Sequence, residues 1–409
     1  MTAVLVRGIG LMLPLAAVLV AALAASRAGR LGPPRIAAAV LATAWNAMVL
    51  MAVNQGGWWT FHAEGGMLAG VPLDLLLGWA LLWGALPALA FPEAPVALVA
   101  AGLAWLDLAV MPLAEPVVLL GEHWMAGEAV AVGLALVPGL LLIRWTVRGR
   151  LPMVRAGFQV VLAAGLGVVA PVLLMEVWRQ PAWVLALMAQ ALAAPFVMGA
   201  AAVREFARTG GGTPFPYDPP LRLVTGGPYA YVRNPMQVAM TAGYVLLAVL
   251  DVRFLAAAAI SFAYGAGLAA WHEGEQLTRR FGADWAAYRA GVRAWLPRLR
   301  PAVHPLTVHA TLYVAATCGQ CSQVGAWITR RRPIGLRIAA AENHPAGLRR
   351  ITYERADGLR AQGVTALAHA LTHIHLGWAL AGWLLHLPCL NGFAQLCVDA
   401  LGGGPRRPL

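Results

Sequence analysis

The chain has 409 residues, 60% of them hydrophobic and 12% charged, with a mean hydropathy of +0.68. A soluble domain is near half apolar and a quarter charged, so this composition excludes a purely water-soluble protein and requires a bilayer as solvent for much of the chain. The formal charge of +12 comes almost entirely from arginines in short loops between apolar runs, a positive-inside pattern that argues against a nucleic-acid partner.

Apolar runs near the membrane-spanning length of about 20 residues fall at 4–25, 34–53, 71–91, 94–111, 127–143, 157–177, 182–203, 236–251 and 254–271. The expected fold is an all-α polytopic membrane bundle of about nine transmembrane helices, followed by a small C-terminal α/β domain. The first run lacks a small-residue cleavage site and reads as a retained helix. Arg27, Arg30 and Arg35, then Arg144, Arg148, Arg150 and Arg155, then Arg204, Arg208, Arg222 and Arg233 alternate with loops poor in basic residues. That alternation puts the N-terminus outside and the C-terminus in the cytoplasm of an integral inner-membrane protein.

Residues 208–235 break the pattern. Gly210, Gly211 and Gly212 with Pro214, Pro216, Pro219, Pro220 and Pro228 forbid a continuous helix, and long loops of this kind tend to carry function. From 272 to 300, Leu277, Phe281, Trp285, Tyr288, Val292 and Trp295 recur at helical spacing beside Arg279, Arg280, Arg289 and Arg293. This predicts an amphipathic helix along the cytoplasmic interface, with Gly282 as a candidate break. Beyond it, strand-like runs at Leu306–Ala315, Gly335–Ala340 and Ile351–Glu354 alternate with helical stretches, and Leu376–Leu387 reads as a buried helix too short to span.

The stretch from Gly227 to Met236 is chemically the most informative. Asn234 is a good helix N-cap and Pro235 a good first helical residue, so the next helix would turn free N–H groups toward the cytoplasm beside Arg233. Such an end suits a carboxylate or phosphate, while Tyr229 and Tyr231 are rings able to face a cation. A Gly-Pro turn, a capped helix and a positive-inside arginine explain the same residues without a ligand.

Gly227-Pro228-Tyr229 followed by Tyr231-Val232-Arg233-Asn234-Pro235-Met236 resembles the first motif of the isoprenylcysteine carboxyl methyltransferase and phospholipid methyltransferase superfamily. Glu273, Leu277, Phe281-Gly282, Tyr288, Val292 and Leu296-Pro297 are similar to its second motif. The resemblance covers about 150–300, leaving 1–145 as helices of unassigned role. It implies S-adenosylmethionine as cofactor, held by Gly227, Pro228, Tyr229, Tyr231, Arg233, Asn234, Pro235, Glu273 and Glu275, with Glu273 also the catalytic candidate. It further implies a lipid or small amphiphilic acceptor entering from the bilayer. The chain departs from the family at Asn234 (usually histidine), Gln237 and Trp285 (usually tyrosine), Gly274 (usually glutamate) and Ala269 (arginine in the eukaryotic enzymes).

Cys318 and Cys321 form a CxxC at a predicted strand-to-helix junction, where a helix N-terminus lowers a thiol pKa. Dithiol redox chemistry, a zinc site and two inert cysteines are the alternatives, although Cys389 and Cys397 lack the spacing of a second CxxC. Residues 309–409, within a domain expected at 306–409, are similar to the DCC family of thiol-disulfide oxidoreductase-like domains. The carriers are Tyr313, the CxxC, Arg330-Arg331-Arg332 and Leu376–Pro388, although the acidic residue usual before the first cysteine is missing. The resemblance implies a thioredoxin-like fold and a thiol redox partner.

Asp107, inside an apolar run, is either a substrate-passage residue or a hydrogen-bonded packing residue. Asp74, nearer a span end, is expected only to meet the interface. His369, His373 and His375 are expected at a surface or domain interface, with no metal site. The functional expectation is membrane methyl transfer with an appended redox-like domain. The alternatives are a membrane-anchored thiol oxidoreductase with a non-catalytic methyltransferase-like half, or a scaffold.

Overall fold

The computed structural model describes residues 2–62, 65–215 and 218–405; Pro216 lies outside them. Among the described residues eight helices are long and apolar enough to cross a membrane: α1 (Ala3–Arg27), α2 (Pro33–Gly56), α3 (Leu73–Ala90), α4 (Val96–Ala114), α5 (Trp124–Val147), α6 (Pro152–Leu174), α7 (Ala182–Gly210) and, after the shorter α8 (Pro235–Leu247), α9 (Phe254–Gly291). These are the helices of a multi-pass membrane protein. The run expected at 236–251 is the exception to the nine. Its α8 has 13 residues, about 20 Å at 1.5 Å per residue, against a hydrocarbon core of about 30 Å.

Contact density divides the chain into two compact units, Met1–Met175 with Gly212–Pro219, and Glu176–Gly211 with Pro220–Leu409. This division does not coincide with the boundaries expected at 145–150 and near 306. In the first unit, Leu162 and Phe158 of α6 pack on Leu41 and Leu142, which ties α6 to the helices before it. Its main core joins α2, α3 and α5 through Ala38, Leu50, Trp83, Leu136 and Ile143. The segments between helices contribute an antiparallel pair, β1 (Trp59–Phe61) with β4 (Val118–Leu120), and a small hairpin, β2 (Met67–Leu68) with β3 (Val71–Pro72). Three-residue strands carry too little periodicity to be read in sequence.

Two arginines of this unit have carboxylate partners. Asp74 does more than meet an interface: its carboxylate accepts from Arg7 Nε at 2.7 Å. Arg155 is 1% exposed and pairs with Asp218, and Gln159 donates to Thr213 at 2.9 Å beside it. Asp107 faces Glu128 and the Trp79 indole.

In the second unit α9 is continuous through Glu273, so the amphipathic stretch extends the span rather than starting a separate interfacial helix. The expected break is at Gly282, whose φ of 49° and ψ of −116° are not helical. Beyond it lies a four-stranded sheet in the order β6-β5-β7-β8: β5 (Ala310–Val314), β6 (Leu336–Ala340), β7 (Thr352–Arg355) and β8 (Arg360–Gln362). β5 runs parallel to β6 and antiparallel to β7. Leu312 and Val314 alternate inward and, with Ile328 and Tyr353, make its core. Around the sheet stand α10 (Gly319–Arg330), α11 (Val364–Leu371), α12 (Leu376–Leu385) and α13 (Pro388–Val398). Ala379 and Trp383 of α12 are buried, as expected of that run.

Candidate active site

Pro235 opens α8, where proline's fixed φ suits the first helical position. Asn234 precedes it, yet its side chain makes no capping hydrogen bond. The backbone here is engaged by a returning segment instead. Arg233 N–H donates to Arg293 O at 2.8 Å and Asn234 N–H to Ala294 O at 3.3 Å; Arg298 N–H donates to Tyr231 O at 2.9 Å and Ala302 N–H to Ala230 O at 2.8 Å. Gly227 starts the turn with φ of 58°, a region costly for other residues. A Cβ there would also approach Glu205 Cγ to 3.3 Å.

Helix α9 closes on the same turn. The Tyr288 hydroxyl donates to the Tyr229 carbonyl at 2.8 Å, across 59 positions of sequence. Tyr229, Trp285, Tyr288 and Val292 are buried together, flanked by Met236, Leu277 and Phe281. The two motif segments therefore share one core. Gly265 assists: a Cβ there would meet the Trp295 ring at 2.8 Å and Gln237 at 3.1 Å.

Arg233 is half-buried at this junction. Its guanidinium lies 5.8 Å from the centre of Trp285, and Arg289 lies 5.9 Å from the same ring. Arg233 Nη1 donates to the Arg289 carbonyl at 3.4 Å. Among the described residues neither arginine has a carboxylate within ion-pair distance. Burial, and then the Arg289 charge, lower the Arg233 pKa from its usual value, with Tyr288 opposing. A cation stacked on an indole is stabilised by only about 0.5–1 kcal/mol at such a half-exposed position. Two positive charges thus share one ring, Arg233 half-buried and Arg289 exposed.

The other predicted residues divide. Tyr229 is buried and its hydroxyl has no hydrogen-bond partner among the described residues. Burial, reinforced by Tyr288, Glu273 and Glu205, pushes that hydroxyl well above the usual phenol value, so it stays protonated. Glu273 is half-buried on α9 and near enough to act on Tyr229. Glu275 is exposed and pairs with Arg279 on its own helix, outside this junction. Tyr231 also departs from expectation. It is 0% exposed, its hydroxyl donates to Thr372 O at 2.8 Å, and its ring meets Trp383 edge-on at 5.7 Å. The ring expected to face a cation instead faces α12. Sequence reasoning missed Arg289, which was readable as the residue one turn beyond Trp285.

At the CxxC, Cys318 is the N-cap of α10, and its sulfur accepts from Cys321 N–H at 3.2 Å. Cys318 is buried and Cys321 half-buried. No acidic residue precedes Cys318 in sequence, but Glu342 reaches the same loop from beyond β6. It accepts from Ala316 N–H and Thr317 N–H at 3.1 Å and from Thr317 Oγ1 at 3.0 Å. Its own backbone N–H, with those of Thr317 and Ala316, holds the carboxyl down at about 2. Among the described residues no cluster of histidine, cysteine and carboxylate fit for a metal occurs. His375 caps α12 by accepting from Gly377 N–H at 3.1 Å, and His373 bridges Ile334 O at 2.7 Å and the Tyr353 hydroxyl at 2.9 Å.

Comparison of the chain with family models, curated proteins and solved structures finds no match.

Proposed function

We propose that residues 150–300 transfer a methyl group from S-adenosylmethionine to a lipid or small amphiphilic acceptor at the cytoplasmic face of the membrane. The observation that carries this reading is the meeting of the two motif segments, with the Tyr288 hydroxyl on the Tyr229 carbonyl and an unbalanced Arg233–Arg289 pair beside it. Bound there, the cofactor supplies an electrophilic methyl group next to a sulfonium. The residues present fit its two charges: Arg233 for the carboxylate, and the face of Tyr229 with the Glu273 carboxylate for the cation. Tyr229 also offers a buried hydroxyl that lacks a partner.

The chain's own work in such a reaction is positioning and exclusion of water, because in-line displacement depends on alignment more than on a strong base. Trp285, Tyr288 and Val292 exclude water from the turn. Glu273 is the group placed to take a proton if the acceptor is an amine or hydroxyl; a carboxylate acceptor needs none. Equilibrium binding of S-adenosylmethionine in detergent tests the reading, with Arg233→Ala as the decisive variant. Radiolabelled methyl transfer into a total membrane lipid extract then identifies the acceptor class. Wild-type protein that binds no cofactor would end the proposal.

A second reading, a membrane-anchored thiol-disulfide oxidoreductase, is favoured by Cys318 at a helix N-cap with Glu342 on the preceding loop. In this reading 306–409 is a thioredoxin-like domain serving a thiol partner. A defined CxxC reduction potential in a protein that fails to bind S-adenosylmethionine would select it.

A further inference from the structure

On the side of the Gly226–Pro228 turn away from Arg233, a cavity of about 110 Å³ is lined by the end of α7, this turn and the C-terminal α/β part. That is room for several waters or a small polyatomic ion. Neither Arg233 nor Glu273 reaches it.

Its charges are unbalanced. Arg355 is satisfied, donating to Glu205 at 3.1 Å and to Asp357 at 2.7 Å. The half-buried Arg204 and the exposed Arg208, one turn apart on α7, also line the cavity, and among the described residues neither has a carboxylate within ion-pair distance. Like charges four residues apart repel. The C-terminal end of α7 offsets only part of that, because the dipole there amounts to about half a charge.

Two histidines make a second, independent observation. His369 is 9% exposed, and its Nε2 is buried with no hydrogen-bond partner; both ring nitrogens of His386 are in the same condition. The two rings lie 4.2 Å apart and both line the cavity. A buried polar atom without a partner costs about 1–3 kcal/mol. Several around one cavity, beside two arginines without carboxylate partners, include ring N–H groups awaiting acceptors.

We propose that this cavity binds a phosphate-bearing anion, held by Arg204 and Arg208 from α7 and by His369 and His386 from the C-terminal part. Donors converging from separate segments suit a tetrahedral oxyanion better than a planar carboxylate. Depth favours phosphate as well. α7 has 29 residues, roughly 44 Å at 1.5 Å per residue, longer than the hydrocarbon core, so its last two turns reach headgroup level. The phosphate comes either from a phospholipid headgroup or from the free ion, and its place between α7 and α11 makes it a clamp between membrane helices and sheet.

The test uses the full chain in a phosphate-free maltoside detergent. Native mass spectrometry measures co-purified phospholipid, and calorimetry measures inorganic phosphate binding to delipidated protein. Retained lipid without phosphate binding assigns a headgroup; phosphate binding without retained lipid assigns the free ion. Either supports the proposal if Arg204→Gln/Arg208→Gln reduces it at least tenfold while the exposed Arg222→Gln does not. Should the double variant fail to fold, Arg208→Gln and His369→Gln are read singly. Absence of both ligands in the wild type, or equal binding in wild type and folded variants, overturns the proposal.

Discussion

Two arginines of the first compact unit contrast with four of the second. In the first, Arg7 meets Asp74 and Arg155 meets Asp218, so both arginines have a carboxylate partner within the fold. In the second, Arg233 and Arg289 share one indole, and Arg204 and Arg208 share one cavity wall, without nearby carboxylates. A carboxylate partner holds an arginine in the fold, whereas the half-buried Arg233 and Arg204, each beside an exposed arginine, lack one. Under the proposed function the contrast is between a scaffold part and a ligand-binding part.

The largest effect expected from this contrast is at Arg233. Arg233→Ala should weaken S-adenosylmethionine binding at least 100-fold in a calorimetric titration, with little change in thermal unfolding. Arg155→Met should do the reverse. Removing one partner of a buried pair costs about 3–5 kcal/mol, so the unfolding midpoint in detergent should drop while cofactor affinity holds. If Arg155→Met instead abolished binding in a folded protein, the division of labour would be wrong.

Acid should act on the second unit through its histidines. Burial first, with the neighbouring arginines adding to it, lowers His386 to about 3; burial likewise lowers His373 to about 4, and pushes His369 well below the usual imidazole value. Each is neutral in the fold and takes a proton more readily when unfolded. Their contribution is therefore complete above pH 6.5 and is lost as pH falls from 6.5 toward 4, by up to about 1.4 kcal/mol per pH unit per histidine. Melting curves across that window, compared with those of His373→Gln, measure it. Smallest is Tyr231→Phe. It removes one hydrogen bond to the Thr372 carbonyl, about 1 kcal/mol, and should leave S-adenosylmethionine affinity within twofold, because that ring does not face the Arg233 junction.

What the sequence disclosed depended on the range of the interaction. Strands β5 and β6 were readable because Leu312, Val314 and Ile338 alternate locally, and the Gly282 break because glycine interrupts a clear helical face. β1 and β4 were not, because Trp59 pairs with Leu120 far along the chain and each strand has three residues. The partnership of Arg7 with Asp74 and the reach of Glu342 to Thr317 are equally non-local. At the candidate site, Arg233 stood out beside a predicted helix start as well as through resemblance, and Glu273 through resemblance alone. Arg204, Arg208 and His369 looked like ordinary loop arginines and an interface histidine, since nothing in their spacing announces a shared cavity. Tyr231 was misjudged for the same reason: its partner Trp383 lies in another part of the chain.

The burial of Tyr231 has a consequence for biosynthesis. Val197, Met198 and Tyr231 complete their apolar cluster only with Ala379 and Trp383. During translation the Gly-Pro-Tyr turn is thus inserted, and its neighbouring helices are in place, long before the ribosome delivers the residues that seal it. Until then a tyrosine destined for full burial stays uncovered, and a nascent chain stalled before α12 would display it to any passing hydrophobic surface.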